Sequence, residues 1–213
     1  MRKTAVIFIE RASPATLTDF KDALSDSLLA FLEPWSVDFR TYRCLIKNLP
    51  EGTSKLMCSI TFSHHEKRTV LIKDKTALVT TSAPHDVPKD LVANVCCAGT
   101  PESIDNILAS RLSNIWTQRQ SIKGEAGETF ETTGMLVRAA NLFSYTGFKG
   151  LLIELTSNEN ATSEQFRANV ERIRNLLQGI GMKDAKISGE LLDPSKSNYI
   201  SDLAYQYVRV LEF

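Results

Sequence analysis

KLMCSITFSHHEKRTVLIKDKTALVTT (Lys55–Thr81) decides the fold class. KLMCSITF, RTVLIKD and TALVTT each read as a strand, with side chains alternating at a period of two. SHHEK separates the first pair, and a tight DK turn separates the second. Turns this short join antiparallel neighbours only, because a parallel pair needs a crossover of a dozen or more residues. The segment is therefore an antiparallel meander. It extends backward through WSVDFRTYRCLI (Trp35–Ile46). One face there carries Trp35, Val37, Phe39, Thr41, Arg43 and Leu45, and the other Ser36, Asp38, Arg40, Tyr42, Cys44 and Ile46. NLPEGTS, rich in turn formers, interrupts it.

The flanking sequence supplies helices and further strands. TAVIFIE (Thr4–Glu10) is rich in β-branched residues and predicts a strand. In SPATLTDFKDALSDSLLAFLEP, Ser13 can cap and Pro14 fits the first helical position. Leu17, Phe20, Leu24, Leu28 and Phe31 then recur at helical spacing until Pro34 stops the run. A second helix is predicted to open at Thr100-Pro101-Glu102, with Ile104, Ile107, Leu108, Leu112 and Ile115 as its stripe and Trp116 near its end. KGEAGETFETTGM (Lys123–Met135) reads as turn-rich. LVRAANLFSY and GFKGLLIEL form a hairpin closed at YTG (Tyr145–Gly147). A third helix is capped by Thr162 or Ser163 and ended by Gly179 or Gly181, AKISGELL gives a short strand, and YISDLAYQYVRVLEF gives a last helix. Residues 83–100, with two prolines and little period, read as a long connection.

Grouped antiparallel strands with few intervening helices argue α+β. About eight strands suffice to close an antiparallel multi-stranded β-barrel with flanking amphipathic helices, which would also remove sheet edges. No linker or repeat divides the chain, so a single domain over residues 1–213 is expected.

Composition narrows the function classes. Apolar residues are 43% of the chain, enough for a sizeable core, and 25 basic residues balance 25 acidic ones. A nucleic-acid or anionic-membrane binder would carry a basic excess, so direct DNA binding is not expected. Arg167, Arg172 and Arg174 share their helix with Glu164 and Glu171, which fits a solvated face. No run approaches the roughly 18 apolar residues of a membrane helix. AVIFIE is too short for a signal peptide and is followed by charge, so an intracellular protein is expected. Cys44, Cys58, Cys96 and Cys97 lack C-x-x-C spacing and are expected to be reduced.

A search for chemistry assembles no active site. Adjacent His64 and His65 point to opposite strand faces or splay around a turn, and His85 has no acid at ligand spacing. SHHEKR is accordingly a charged hairpin tip. Nucleophile elbows and phosphate-binding glycine loops are absent from the sequence. A metal held inside a barrel needs E-x-E spacing on one strand. Glu125, Glu128 and Glu131 are three apart in the turn-rich stretch, and Glu154 stands alone. No cofactor is expected. The aromatic hairpin NLFSYTGFKG is more suggestive. With Tyr145, Thr146 and Gly147 at its bend, Phe143, Tyr145 and Phe148 lie near an exposed end and form a candidate protein interface.

AVIFIERASPATL, PWSVDFRTYRCLIKNLP, SKLMCSITF, GTPESIDNILASRLSNIWTQRQSIKGEAGET, LFSYTGFKGLLIEL and DLAYQYVR together resemble the family of Mediator subunit twenty in its fungal form. The resemblance spans nearly the full length and is weakest over residues 83–98 and 158–197. It implies a non-enzymatic, nuclear subunit of the Mediator head module, a transcription coactivator linking regulatory factors to RNA polymerase II and general transcription factors. It also implies a β-barrel with flanking helices, a heterodimer with subunit eighteen (Mediator subunit 18), and tethering through the C-terminal segment of Mediator subunit 8. The alternative is a metal-dependent phosphohydrolase of the RNA triphosphatase barrel type, whose tunnel glutamates follow the missing E-x-E pattern.

Overall fold

The computed structural model describes residues 2–81 and 102–212. The fold is α+β, built on an antiparallel sheet of nine strands in the order β5-β4-β3-β2-β6-β7-β8-β1-β9, with four helices among the described residues. The sequence predicts about eight strands; the ninth comes from the glycine-bearing stretch after Trp116. Two compact units are present, one of residues 1–37 and 122–213, the other of residues 38–121. Strands β2 (Leu28–Cys44) and β6 (Trp116–Thr132) contribute to both.

In the first unit, β1 (Thr4–Ile9) lies between β8 (Gly147–Ser157) and β9 (Lys186–Ser188), and β7 (Met135–Ser144) pairs with β8 and β6. Period two sorts the side chains. Ala5, Ile7 and Ile9 join Leu151, Ile153 and Leu155 in a core that also takes Met135, Val137 and Ala139. Against this face pack α1 (Thr16–Leu24), through Leu17, Phe20 and Leu24, and α3 (Ser163–Gly179), through Phe166, Ile173 and Leu177. The opposite face holds Val6, Phe8, Leu152 and Glu154, and α4 (Tyr199–Leu211) runs beside β1 and β9 with nine buried residues. All six residues of β1 are consequently buried, which is why AVIFI reads as a continuous apolar run.

The helix starts follow capping chemistry. Thr162 and Gln165 form a reciprocal capping box on α3, and the Asn198 side chain accepts from the Ser201 amide to open α4. The first helix begins differently from expectation. Ala15 is its N-cap, and the Thr16 hydroxyl accepts from the Ser13 amide, so Ser13 does not cap.

The largest departure follows α1. The helical period predicted from Leu17 to Phe31 ends at Leu24; a 3-10 turn covers Ser25–Ser27, and Leu28 starts β2, which continues through Pro34. Tertiary contacts override the helical spacing. The Phe31 ring meets Phe130 edge-on at 5.7 Å, the Thr133 amide donates to the Ser27 carbonyl, and the Trp35 indole donates to the Glu128 carbonyl at 3.1 Å. The turn-rich stretch predicted at Lys123–Met135 is strand as far as Thr132, with a pairing irregularity between Lys123 and Glu128, and turns only at 133–134 before β7. Gly127 lies beneath the Trp35 ring, where an added Cβ would sit 2.5 Å from Nε1. These glycines serve close packing, so their turn-like signature misleads.

In the second unit, β3 (Leu56–Phe62), β4 (Arg68–Lys73) and β5 (Thr76–Thr80) form the expected meander. A 3-10 turn at Ser63–His65 followed by left-handed Glu66 and Lys67 makes the SHHEK tip, and left-handed Asp74 makes the second bend. The α2 helix (Ile104–Ser110) is capped by Ser103, and Leu108 packs with Tyr42, Met57 and Leu71. It is shorter than predicted: Leu112 and Ile115 lie past its end, and Trp116 opens β6. Buried positions along β2 shift from Trp35, Val37 and Phe39 to Tyr42 and Cys44, because Tyr42 turns toward α2. Cys44 and Cys58 are buried, and neither forms a disulfide with another described residue. Thr100, Pro101, His85, Cys96 and Cys97, with the predicted connection over 83–100, lie outside the described residues.

Gly127→Ala is expected to lower folding stability by about 1–3 kcal/mol, because the methyl must displace the Trp35 ring. Chemical denaturation checks this; unchanged stability would contradict the Gly127–Trp35 packing.

Candidate functional site

The one carboxylate that β8 presents to a fully buried face is Glu154, and it is committed to structure. Arg138, its directly opposed partner on β7, donates from Nη1 at 2.7 Å, and the Tyr207 hydroxyl on α4 donates to the other carboxylate oxygen at 2.7 Å. Glu154 is 0% exposed. Burial, then the charge of Glu154, pushes the Tyr207 phenol well above its ordinary 10.0. Tyr199, also on α4, is raised by the same two causes. Glu154 therefore has an arginine and a tyrosine as companions where sequence spacing showed none.

The second unit repeats the device. Asp105, in the first turn of α2, accepts from the Tyr42 hydroxyl at 2.6 Å and the Ser59 hydroxyl at 2.8 Å, fastening the helix to β2 and β3. Burial, followed by the Asp105 hydrogen bond, raises the Tyr42 phenol far above its usual range. The β6 acids sit differently: Glu128 pairs with Lys21 at 2.8 Å, and Glu125 approaches Lys123 at 3.9 Å. The rings of His64 and His65 lie 4.1 Å apart, and each meets Phe62 edge-on at 5.6 Å. The two rings therefore converge where adjacency was expected to part them, because a 3-10 turn and not a strand carries them, and they form part of a packed aromatic corner in their unit.

The aromatic hairpin is built as the sequence predicts. Ser144 faces Gly147 across a two-residue bend of Tyr145 and Thr146, with Gly147 at φ +109°. The Ser144 hydroxyl accepts from the Thr146 amide at 3.2 Å and shares a 2.8 Å contact with its hydroxyl. Phe143 stands opposite Phe148, their rings edge-to-face at 5.4 Å. An extra residue, Lys149, then shifts the register before Gly150, where a Cβ would lie 2.4 Å from the Ile9 carbonyl oxygen. The bulge and that close approach fix the tip against β1. Phe143 is 46% exposed, Phe148 is half-buried, and Tyr145 is 93% exposed. A rigid, projecting aromatic tip suits protein recognition because its large rings lose little conformational freedom on contact.

A second apolar surface escaped sequence reasoning. Leu29, Phe31 and Leu32 on β2 are exposed, with Phe31 at 61%, and Lys21 lies over the Phe31 ring at 5.9 Å. The available signal was the run Leu28–Leu32 itself, which leaves a helix no polar back.

The family described as TATA-binding related factor (TRF) of subunit 20 of Mediator complex matches residues 1–212. Mediator of RNA polymerase II transcription subunit 20 from Saccharomyces cerevisiae is 59% identical over 212 residues, covering 100% of each chain. The same subunit from Eremothecium gossypii is 45% identical over 212 residues, again covering 100% of each chain. A chain of the Schizosaccharomyces pombe Mediator head module structure covers 84% of this chain and 96% of its own at 10% identity, with a TM-score of 0.43. That likeness is too distant to bear on fold or function.

Two outcomes follow from the buried tyrosines and Glu154. Glu154→Leu leaves Arg138 without its buried counter-charge and is expected to cost about 3–5 kcal/mol in urea denaturation. The raised phenols of Tyr207, Tyr199 and Tyr42 contribute stability that is complete below the ordinary value of 10.0 and is lost as pH climbs above it. Stability measured across that alkaline range should therefore fall, and fall less steeply in Tyr207→Phe.

Proposed function

The chain belongs to the Mediator subunit 20 family, and we propose that it acts as a non-enzymatic subunit of the Mediator head module. On this reading it is a coactivator component bridging regulatory factors and RNA polymerase II. It works through protein surfaces, as a heterodimer with subunit 18 that is tethered by the C-terminal segment of subunit 8. Full-length membership of the family carries the reading. The commitment of Glu154 to Arg138 and Tyr207, and of Asp105 to Tyr42 and Ser59, fits a protein whose buried acids hold its elements together.

The tip of Phe143, Tyr145 and Phe148 is the surface we assign to the subunit 18 contact. Tyr145 is nearly fully exposed, so its removal leaves the core untouched. Nuclear residence belongs to the same reading, with entry in company with a partner, since the chain shows no lysine- and arginine-rich import run.

Tyr145→Ala is expected to weaken association with subunit 18 roughly tenfold or more by titration calorimetry, with the thermal melt unchanged. Unchanged affinity would remove the hairpin from the interface. A fluorescent fusion of the chain should concentrate in the nucleus when the partner is co-expressed and lose that enrichment without it.

A further inference from the structure

A groove of ≈ 590 Å³ opens within the first unit, where Arg2, Lys3 and the start of β1 meet α3 and the segment from β9 to α4. On α3 its wall is one helical stripe, Ser163, Phe166, Arg167 and Val170. Across from that stripe lie Ile187 and Leu191, which remain 37% and 42% exposed. The volume falls within the range of about 300–1,000 Å³ typical of built recognition sites.

Cations outnumber acids in the lining of the groove. Arg2, Lys3 and Arg167 supply three cations. Arg2 meets Glu159 at 2.9 Å in an exposed pair that a ligand can replace at little cost. Lys3 donates to the Ala161 carbonyl, and Arg167 has no ion-pair or hydrogen-bond partner among the described residues. The one acid in the lining, Asp202, is buried and saturated by the Leu192 amide, the Ser197 hydroxyl and the Asn198 amide. A lining that joins a cationic excess to exposed apolar side chains favours a ligand with acidic and apolar side chains in alternation.

We propose that this groove binds a short acidic amphipathic segment of a partner protein, with leucine- or phenylalanine-type side chains on Ile187 and Leu191 and carboxylates toward Arg167, Arg2 and Lys3. The site is separate in residues and in chemistry from the aromatic hairpin tip. Its apolar lining selects against a nucleic-acid backbone, which would use the cations alone.

The test is fluorescence anisotropy of the full chain with a labelled synthetic peptide alternating Glu with Leu and Phe. Saturable binding that weakens as salt rises is expected. Arg167→Glu, on an exposed helix position, should weaken it roughly tenfold through like-charge repulsion, and Leu191→Ser should weaken it while leaving the salt dependence in place. The same peptide with Lys in place of Glu should not bind. The proposal is overturned by absent or non-saturable binding, by affinity unaltered in both variants, or by equal capture of a labelled oligonucleotide through Arg167. Loss of subunit 18 association in the two variants would assign the groove to that contact instead, and would equally overturn it.

Discussion

Burial of the Glu154 carboxylate is the constraint around which the larger unit is arranged. A fully enclosed anion is tolerable only when opposite charge and hydrogen bonds replace the water it has lost. Arg138 reaches it across the β7–β8 ladder, and Tyr207 reaches it from α4. Three elements are thereby fixed in mutual register, because a strand slip of one residue would swing Glu154 into the apolar face of Ile153 and Leu155. The apolar burial on either side supplies bulk stability, and the carboxylate selects one arrangement.

With that frame in place, the exposed features become meaningful. The β7–β8 hairpin that carries Arg138 and Glu154 projects Tyr145 at its far end, stiffened by the Phe143–Phe148 contact and the bulge at Lys149. The start of β1 and the approach to α4 shape the basic, apolar groove. Glu154 and Asp105 each hold secondary-structure elements of their own unit together.

Much of this was legible in the residues. Period two from Lys55 to Thr81 gave the meander, β-branched residues in TAVIFIE gave β1, the hairpin closed at YTG gave β7 and β8, and Thr162 stood with Ser163 as the expected cap of α3. The Phe143–Tyr145–Phe148 tip was found by turn chemistry at Tyr145–Gly147. What escaped depended on contacts distant in sequence. Leu28 and Phe31 keep helical spacing with Leu24, and distant partners, Phe130 against Phe31 and Glu128 against Trp35, accompany the strand instead. Gly124 and Gly127 imitate turn residues, although the close approach of Leu142 and Ala140 dictates the first and Trp35, some ninety residues earlier, the second. Glu154 looked solitary because Arg138 and Tyr207 are local to it in space alone. The family resemblance carried the functional expectation that no spacing rule could supply.

The central claim is that the chain functions as an assembled, non-catalytic subunit. Mixing the purified full chain with subunit 18 and passing it over a size-exclusion column tests this most directly. The account predicts a single co-eluting species at equal stoichiometry. Elution of the chain as a lone monomer, with subunit 18 in a separate peak, would contradict it.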